Sequence, residues 1–182
     1  MTGDPEGGFL HRLRRRFVRE DGTASIEFAL LFPLYVAVLF IGIEAGVVMT
    51  RQVMLERGVD MSLRDLRLGR MENASHDTLR NEICSHTVVI RDCRNVLLLE
   101  LTPIDSTTWA GLNEPTTCVD RSEEIQPVTQ FLPGGDNQLM LVRACVIVDP
   151  LIPGGALALA LPRDGSGGFR LLASSVFVNE PS

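Results

Sequence analysis

Four cysteines, Cys84, Cys93, Cys118 and Cys145, are the residues of this sequence most directly equipped for covalent chemistry. They stand 9, 25 and 27 residues apart. No Cys-x-x-Cys pair occurs, which argues against a zinc ribbon or a thioredoxin-type dithiol. Four cysteines on one side of a membrane stretch fit two disulfides in an oxidising compartment. Of the three connectivities we favour Cys84–Cys93, bridging the turn into a first strand, and Cys118–Cys145, tying a long loop to a middle strand. Each would stabilise by roughly 2–4 kcal/mol. His76 and His86 lie near the first pair, but Cys84-Ser85-His86 read as a strand puts neighbours on opposite sides, poor geometry for a shared ion. We therefore expect no metal and no cofactor. Serines and carboxylates are present, yet no nucleophile elbow, phosphate loop or paired-acid motif is, and no enzyme is expected. Asn73-Ala74-Ser75 matches a glycosylation acceptor, a pattern too short to carry weight.

A second kind of chemistry is carried by Glu27. From Phe28 to Ile43 the chain has no charge, and from there to Thr50 only Glu44 interrupts it. As a helix, 28–50 would reach roughly 34 Å, enough to cross a hydrocarbon layer of about 30 Å. A carboxylate at the edge of such a helix is costly without a partner. Either a positive group on another chain meets Glu27 at that depth, or it sits wet among the headgroups. Pro33 removes one backbone donor and bends the helix. Gly42 and Gly46 form a small-x-x-x-small pair on which another helix can approach closely. Glu44 lies between them, and two placements are open for it: the outer interface, or a pair with an arginine of a partner helix.

Gly22, Thr23-Ala24-Ser25-Ile26, Glu27-Phe28-Ala29-Leu30 and Pro33, after an arginine-rich leader, resemble the type III signal peptide of type IV pilin-like proteins. More narrowly, residues 19 to 50 resemble the TadE/TadF pseudopilins of the tight-adherence (Tad/Flp) pilus system. The resemblance implies cutting by a prepilin peptidase between Gly22 and Thr23. Thr23 would then carry a new α-amino group able to pair with Glu27 of a neighbouring subunit. It also implies other partners: a second pseudopilin, the Flp pilin and the inner-membrane assembly platform. Major Flp pilins carry Glu-Tyr and are very short, whereas this chain has Glu27-Phe28 and a large tail. That departure points to a minor pseudopilin.

The net charge is −6 over 182 residues, and every basic residue is arginine. The leader to Gly22 carries five arginines against four acids, a net of +1, which leaves −7 on the remainder. An acidic body gives no support for nucleic-acid binding. Arginines flank the apolar stretch on both sides, so their number alone does not orient it. The short N-terminal tail and the position of the cysteines lead us to expect residues 1–22 in the cytoplasm and the bulk outside, in a single-pass arrangement; the resemblance implies that the membrane is the bacterial inner membrane. A cleaved secretory signal is disfavoured, because no small-x-small site follows a short apolar core.

The elements that must position these residues follow from periodicity. We expect a leader over 1–22, a transmembrane helix over 23–50 and an amphipathic helical extension over 51–83, with Leu55, Val59, Leu63 and Leu66 on one face. Ser75 is a plausible cap for a second helical piece. Residues 84–182 read as a β-rich domain with extended runs at 95–102, 138–148 and 169–178. In the middle run Met140, Val142, Ala144, Val146 and Val148 alternate toward the helix, and Arg143, Cys145 and Asp149 mark a wetter face. The predicted fold class is α+β, a long N-terminal helix on a small antiparallel sheet of about three strands, which is also the plan the resemblance implies. The competing functional reading is an uncleaved single-pass protein whose external domain binds a ligand or partner.

Overall fold

The computed structural model describes residues 23–68, 70–71, 75–112, 114–123, 127, 129–132, 134–161, 163 and 165–180. The leader with Gly22, and Asn73-Ala74 of the glycosylation pattern, lie outside the described residues. The chain divides into two compact units after Gly42. Helix α1, Thr23–Arg67, is 45 residues long, and its first part is all that is described of the first unit.

The second unit holds the rest of α1, then α2 (His76–His86), α3 (Cys93–Val96), β1 (Leu97–Pro103), β2 (Leu139–Val148), α4 (Ala156–Ala160) and β3 (Phe169–Val178). The three strands form one antiparallel sheet in the order β1-β2-β3. With α1 this is an α+β arrangement, as expected. Leu55, Val59 and Leu63 recur at four-residue spacing along α1 and are buried with Leu79 and Ile83 of α2. The sheet completes the same core through Leu97, Leu99, Met140, Val142, Ala144 and Val146. A fully buried side chain of this size contributes about 1.5–3 kcal/mol.

The expected extension over 51–83 comes as two helices. The first stops at Arg67, and Ser75 caps the second. Thr78 N–H donates to Ser75 Oγ at 3.2 Å and Ser75 N–H donates to Thr78 Oγ1 at 2.8 Å, which satisfies two otherwise orphan donors. Residues 84–86 are therefore helical rather than extended. Residues 95 and 96 are also helical: Asp92 takes a left-handed backbone (φ 54) and its carbonyl accepts from Asn95 and Val96. The first strand accordingly begins at Leu97.

The wetter face expected on β2 is not wet. Leu141, Arg143, Cys145 and Ile147 are all buried, as are the residues that face α1. The loop from 104 to 132 is fastened across this side. Cys118 is bonded to Cys145, Thr117 N–H donates to Glu100 Oε1 at 3.2 Å, and Arg143 donates to the carbonyls of Gly111 and Leu112. The same loop closes the outer edge of β1, where Leu101 exchanges backbone hydrogen bonds with Gln130 and Leu132 at 2.9 Å each. Pairing at this point shortens the stretch of edge open to another strand.

Candidate membrane segment and the loop held against it

In the first unit α1 is apolar on every side and exposed on every side. Ile26, Phe28, Leu30, Leu34, Tyr35 and Val38 are each 61–72% exposed. Glu27 is exposed as well, and Phe28 and Phe32 stack with ring centroids 4.9 Å apart. Pro33 lies inside the helix, where it leaves the carbonyl of Ala29 without its usual donor. A soluble monomer rarely exposes so large an apolar surface. Among the described residues this is the one helix long and apolar enough to cross a membrane.

Gly42 and Gly46 are unfilled: a Cβ added at either would meet nothing within 4 Å. Whatever close approach they permit is not used by the described residues. Glu44 behaves differently. Its side chain is buried at 1% exposure, and Oε1 accepts the backbone N–H of Ile152 at 3.2 Å. Its hydrogen-bond partner within the chain is a backbone amide 108 residues away, a contact that neither placement left open by the sequence foresaw. Two turns on, Arg51 Nη1 donates to the carbonyl of Asp149 at 2.9 Å. Helical periodicity puts residues 44 and 51 on one face, so a single stripe of α1 grips both ends of the 149–152 loop. Gln52 extends the stripe by donating from Nε2 to the carbonyl of Leu172 in β3 at 2.7 Å. The roles of Arg51, Gln52 and Ile152 carried no signal in the sequence, since each joins residues about a hundred positions apart.

The loop is held from its other side too. Arg121 Nη2 donates to Asp149 Oδ1 at 2.8 Å and Nε donates to Ser166 Oγ at 2.9 Å. The Arg121 hydrogen bond holds the Asp149 carboxyl below its ordinary value, against a smaller opposing effect of burial. Asp105 and Asp120 are also held low, chiefly by hydrogen bonds from Thr107 and Ser122 in their own turns.

All four cysteines are paired, Cys84 with Cys93 and Cys118 with Cys145, the connectivity favoured above. The first bridge fastens the end of α2 to α3, and the second fastens the long loop to the centre of β2. His76 lies beside Asp77 and Phe131, and His86 beside Glu82, so the two imidazoles have separate surroundings. Among the described residues no three His, Cys, Asp or Glu side chains are gathered as metal ligands would be.

Among the described residues, one apolar helix of spanning length leads into a disulfide-bonded α+β domain, and this defines the class: a membrane-anchored protein. The family model for TadE-like proteins matches residues 22–64. Over that stretch the chain is similar to TadE-like proteins, as the residues around Gly22, Glu27 and Pro33 led us to expect. The matched stretch also takes in Gly42, Glu44, Gly46 and Arg51, and it stops short of the sheet. No curated protein and no solved structure matches the chain.

Proposed function

We propose that this chain is a minor pseudopilin-like membrane protein that takes part in assembling a Tad/Flp-type pilus, and so in surface adherence. The observation that carries the reading is the coincidence of the TadE-like match with the one exposed apolar helix that bears Glu27. A prepilin peptidase cuts after Gly22, and the helix from Thr23 stays in the inner membrane. The Thr23 amine of one subunit then pairs with Glu27 of its neighbour, which offsets the cost of a carboxylate at the edge of the hydrocarbon. Other pseudopilins, the Flp pilin and the assembly platform meet the chain through this helix. The domain from Arg51 onward stands outside the cytoplasm, a placement supported by its two disulfides.

The test is the N-terminus of the protein recovered from membranes that contain the peptidase. A sequence starting at Thr23 supports the reading. A sequence starting at Met1 defeats it and leaves an uncleaved anchor. In the same cells, exchanging Gly22 for a bulky residue is expected to leave the uncut form. Glu27→Ala should be cut normally but no longer co-purify with its partner subunits; normal co-purification would remove the salt bridge from the mechanism.

A further inference from the structure

Outside α1 the longest run without a polar side chain takes in residues 150–161, Pro-Leu-Ile-Pro-Gly-Gly-Ala-Leu-Ala-Leu-Ala-Leu, which end in α4 and the residue after it. Asp149 and Arg163 are the nearest charges on either side. The segment is not simply core. Leu151 is 49% exposed and Leu159 is 69% exposed.

Its position is fixed by α1. Arg51 ends the apolar run of that helix and grips the carbonyl of Asp149, while Glu44 grips the amide of Ile152. Seven residues of helix separate those grips, about 10 Å along the axis. The loop therefore descends from the level of Arg51 to the level of the last two apolar turns. Interfacial segments enter a bilayer by about 5–10 Å, the same distance. Backbone pairing suits that environment, since an amide in hydrocarbon needs an internal partner. Ile152 N–H donates to Glu44, Gly155 to Ile152, Leu159 to Gly155 and Leu161 to Leu157. At the same level α1 is itself apolar and open, with Ile43 48% exposed and Met49 67% exposed.

We propose that residues 150–161 are a second lipid contact, with Leu151 and Leu159 inserted into the same bilayer face from which α1 emerges. Glu44 sets the depth of the segment and Arg51 sits among the headgroups above it. The occupant is lipid because the segment lies at the level of the last apolar turns of α1 and offers no polar side-chain atom for recognising a protein. The proposal rests on α1 crossing the membrane. It makes the domain a two-point mount rather than a ball on a single tether.

The chain has one tryptophan, Trp109, so Trp109→Phe gives a silent background. In it, single tryptophans are placed by Leu159→Trp, Leu151→Trp, Leu39→Trp within the span and Val178→Trp. Val178 pairs with Leu139, at the end of β2 farthest from Asp149. The full-length protein, its disulfides checked on a non-reducing gel, is reconstituted in phosphatidylcholine–phosphatidylglycerol vesicles. The lipids are brominated either near the headgroup or deep in the chain. We expect blue-shifted emission from positions 159 and 151, quenched by the shallow bromines, with position 39 quenched by the deep ones and position 178 by neither. Unquenched emission at 159 and 151 with quenching at 39 would overturn the proposal alone. Loss of quenching at 39 as well would overturn the spanning reading, and the proposal with it.

Discussion

Glu100 of β1 and Arg143 of β2 stand opposite each other in the sheet, with Arg143 Nη1 3.8 Å from Glu100 Oε2. Both side chains are nearly sealed from water, at 14% and 10% exposure. Each also reaches up into the covering loop: Glu100 accepts from Thr117, and Arg143 donates to the carbonyls of Gly111 and Leu112. The pair therefore joins that loop to the sheet between its two ends, beside the Cys118–Cys145 bridge. A charge that reads as solvent-facing in an alternating strand is instead an internal brace.

Arg143→Met keeps the apolar stem of the side chain but leaves Glu100 without a counter-charge and two carbonyls without donors. The expected loss is about 3 kcal/mol, seen as a lower denaturation midpoint of the detergent-solubilised protein. Adding Glu100→Gln to the same chain should return part of that loss, because the stranded charge is then gone. An unchanged midpoint in the single variant would deny the brace any role.

The two disulfides differ in the loop they close, 9 residues for Cys84–Cys93 and 27 for Cys118–Cys145. Chain-entropy arguments then give about 2.6 and about 3.5 kcal/mol respectively. Replacing Cys118 and Cys145 together by serine should cost more than replacing Cys84 and Cys93. It should also speed proteolysis within 104–132, where the bridge fastens the loop. Equal costs, with no new cleavage in that loop, would show that the hydrogen bonds of Arg143 and Glu100 hold it alone.

What the sequence made legible was local. The apolar run of α1, the stripe Leu55–Val59–Leu63, the cap at Ser75 and the alternation of β2 toward the helix are all written in neighbouring residues. The second face of β2 was misread because alternation reports one side only. Arg143 and Asp149 looked equally wet, yet only Asp149 is exposed. Glu44 could be flagged as out of place but not assigned, since its partner is the amide of Ile152 and an amide leaves no mark in a sequence.

Asp149 gives the pH dependence a sign. Its native carboxyl is held below the ordinary value of 3.8 by Arg121, with the charge of Arg51 helping. The stabilisation is therefore complete above about pH 4 and is lost as the pH falls through the lower native value. The contribution is small, because the carboxylate is 70% exposed. Arg121→Gln should lower stability near neutrality, and the gap from the parent should narrow in acid. Denaturation midpoints measured from about pH 6 to about pH 2 would show this. Curves that stay parallel to the bottom of that range would exclude Arg121 as the cause.

The glycines of α1 separate contacts within the chain from contacts with other chains. At Gly58 an added Cβ would lie 2.7 Å from Thr87 Cγ2 and 3.1 Å from the carbonyl oxygen of Ile83, both on the α2 side. Gly58→Ala gains about 1 kcal/mol of helix propensity but forces apart a packed crossing, at a cost of about 1–3 kcal/mol. The net expectation is a loss of stability. At Gly42 and Gly46 the same methyl group meets nothing, so alanine there should leave the isolated protein as stable as before or slightly more so. If those glycines serve a neighbouring helix, Gly42→Ala and Gly46→Ala will weaken co-purification with partner subunits while leaving the denaturation midpoint intact. Unimpaired co-purification in both variants would remove the small-residue face from the assembly and leave Glu27 as the element of α1 that other subunits read.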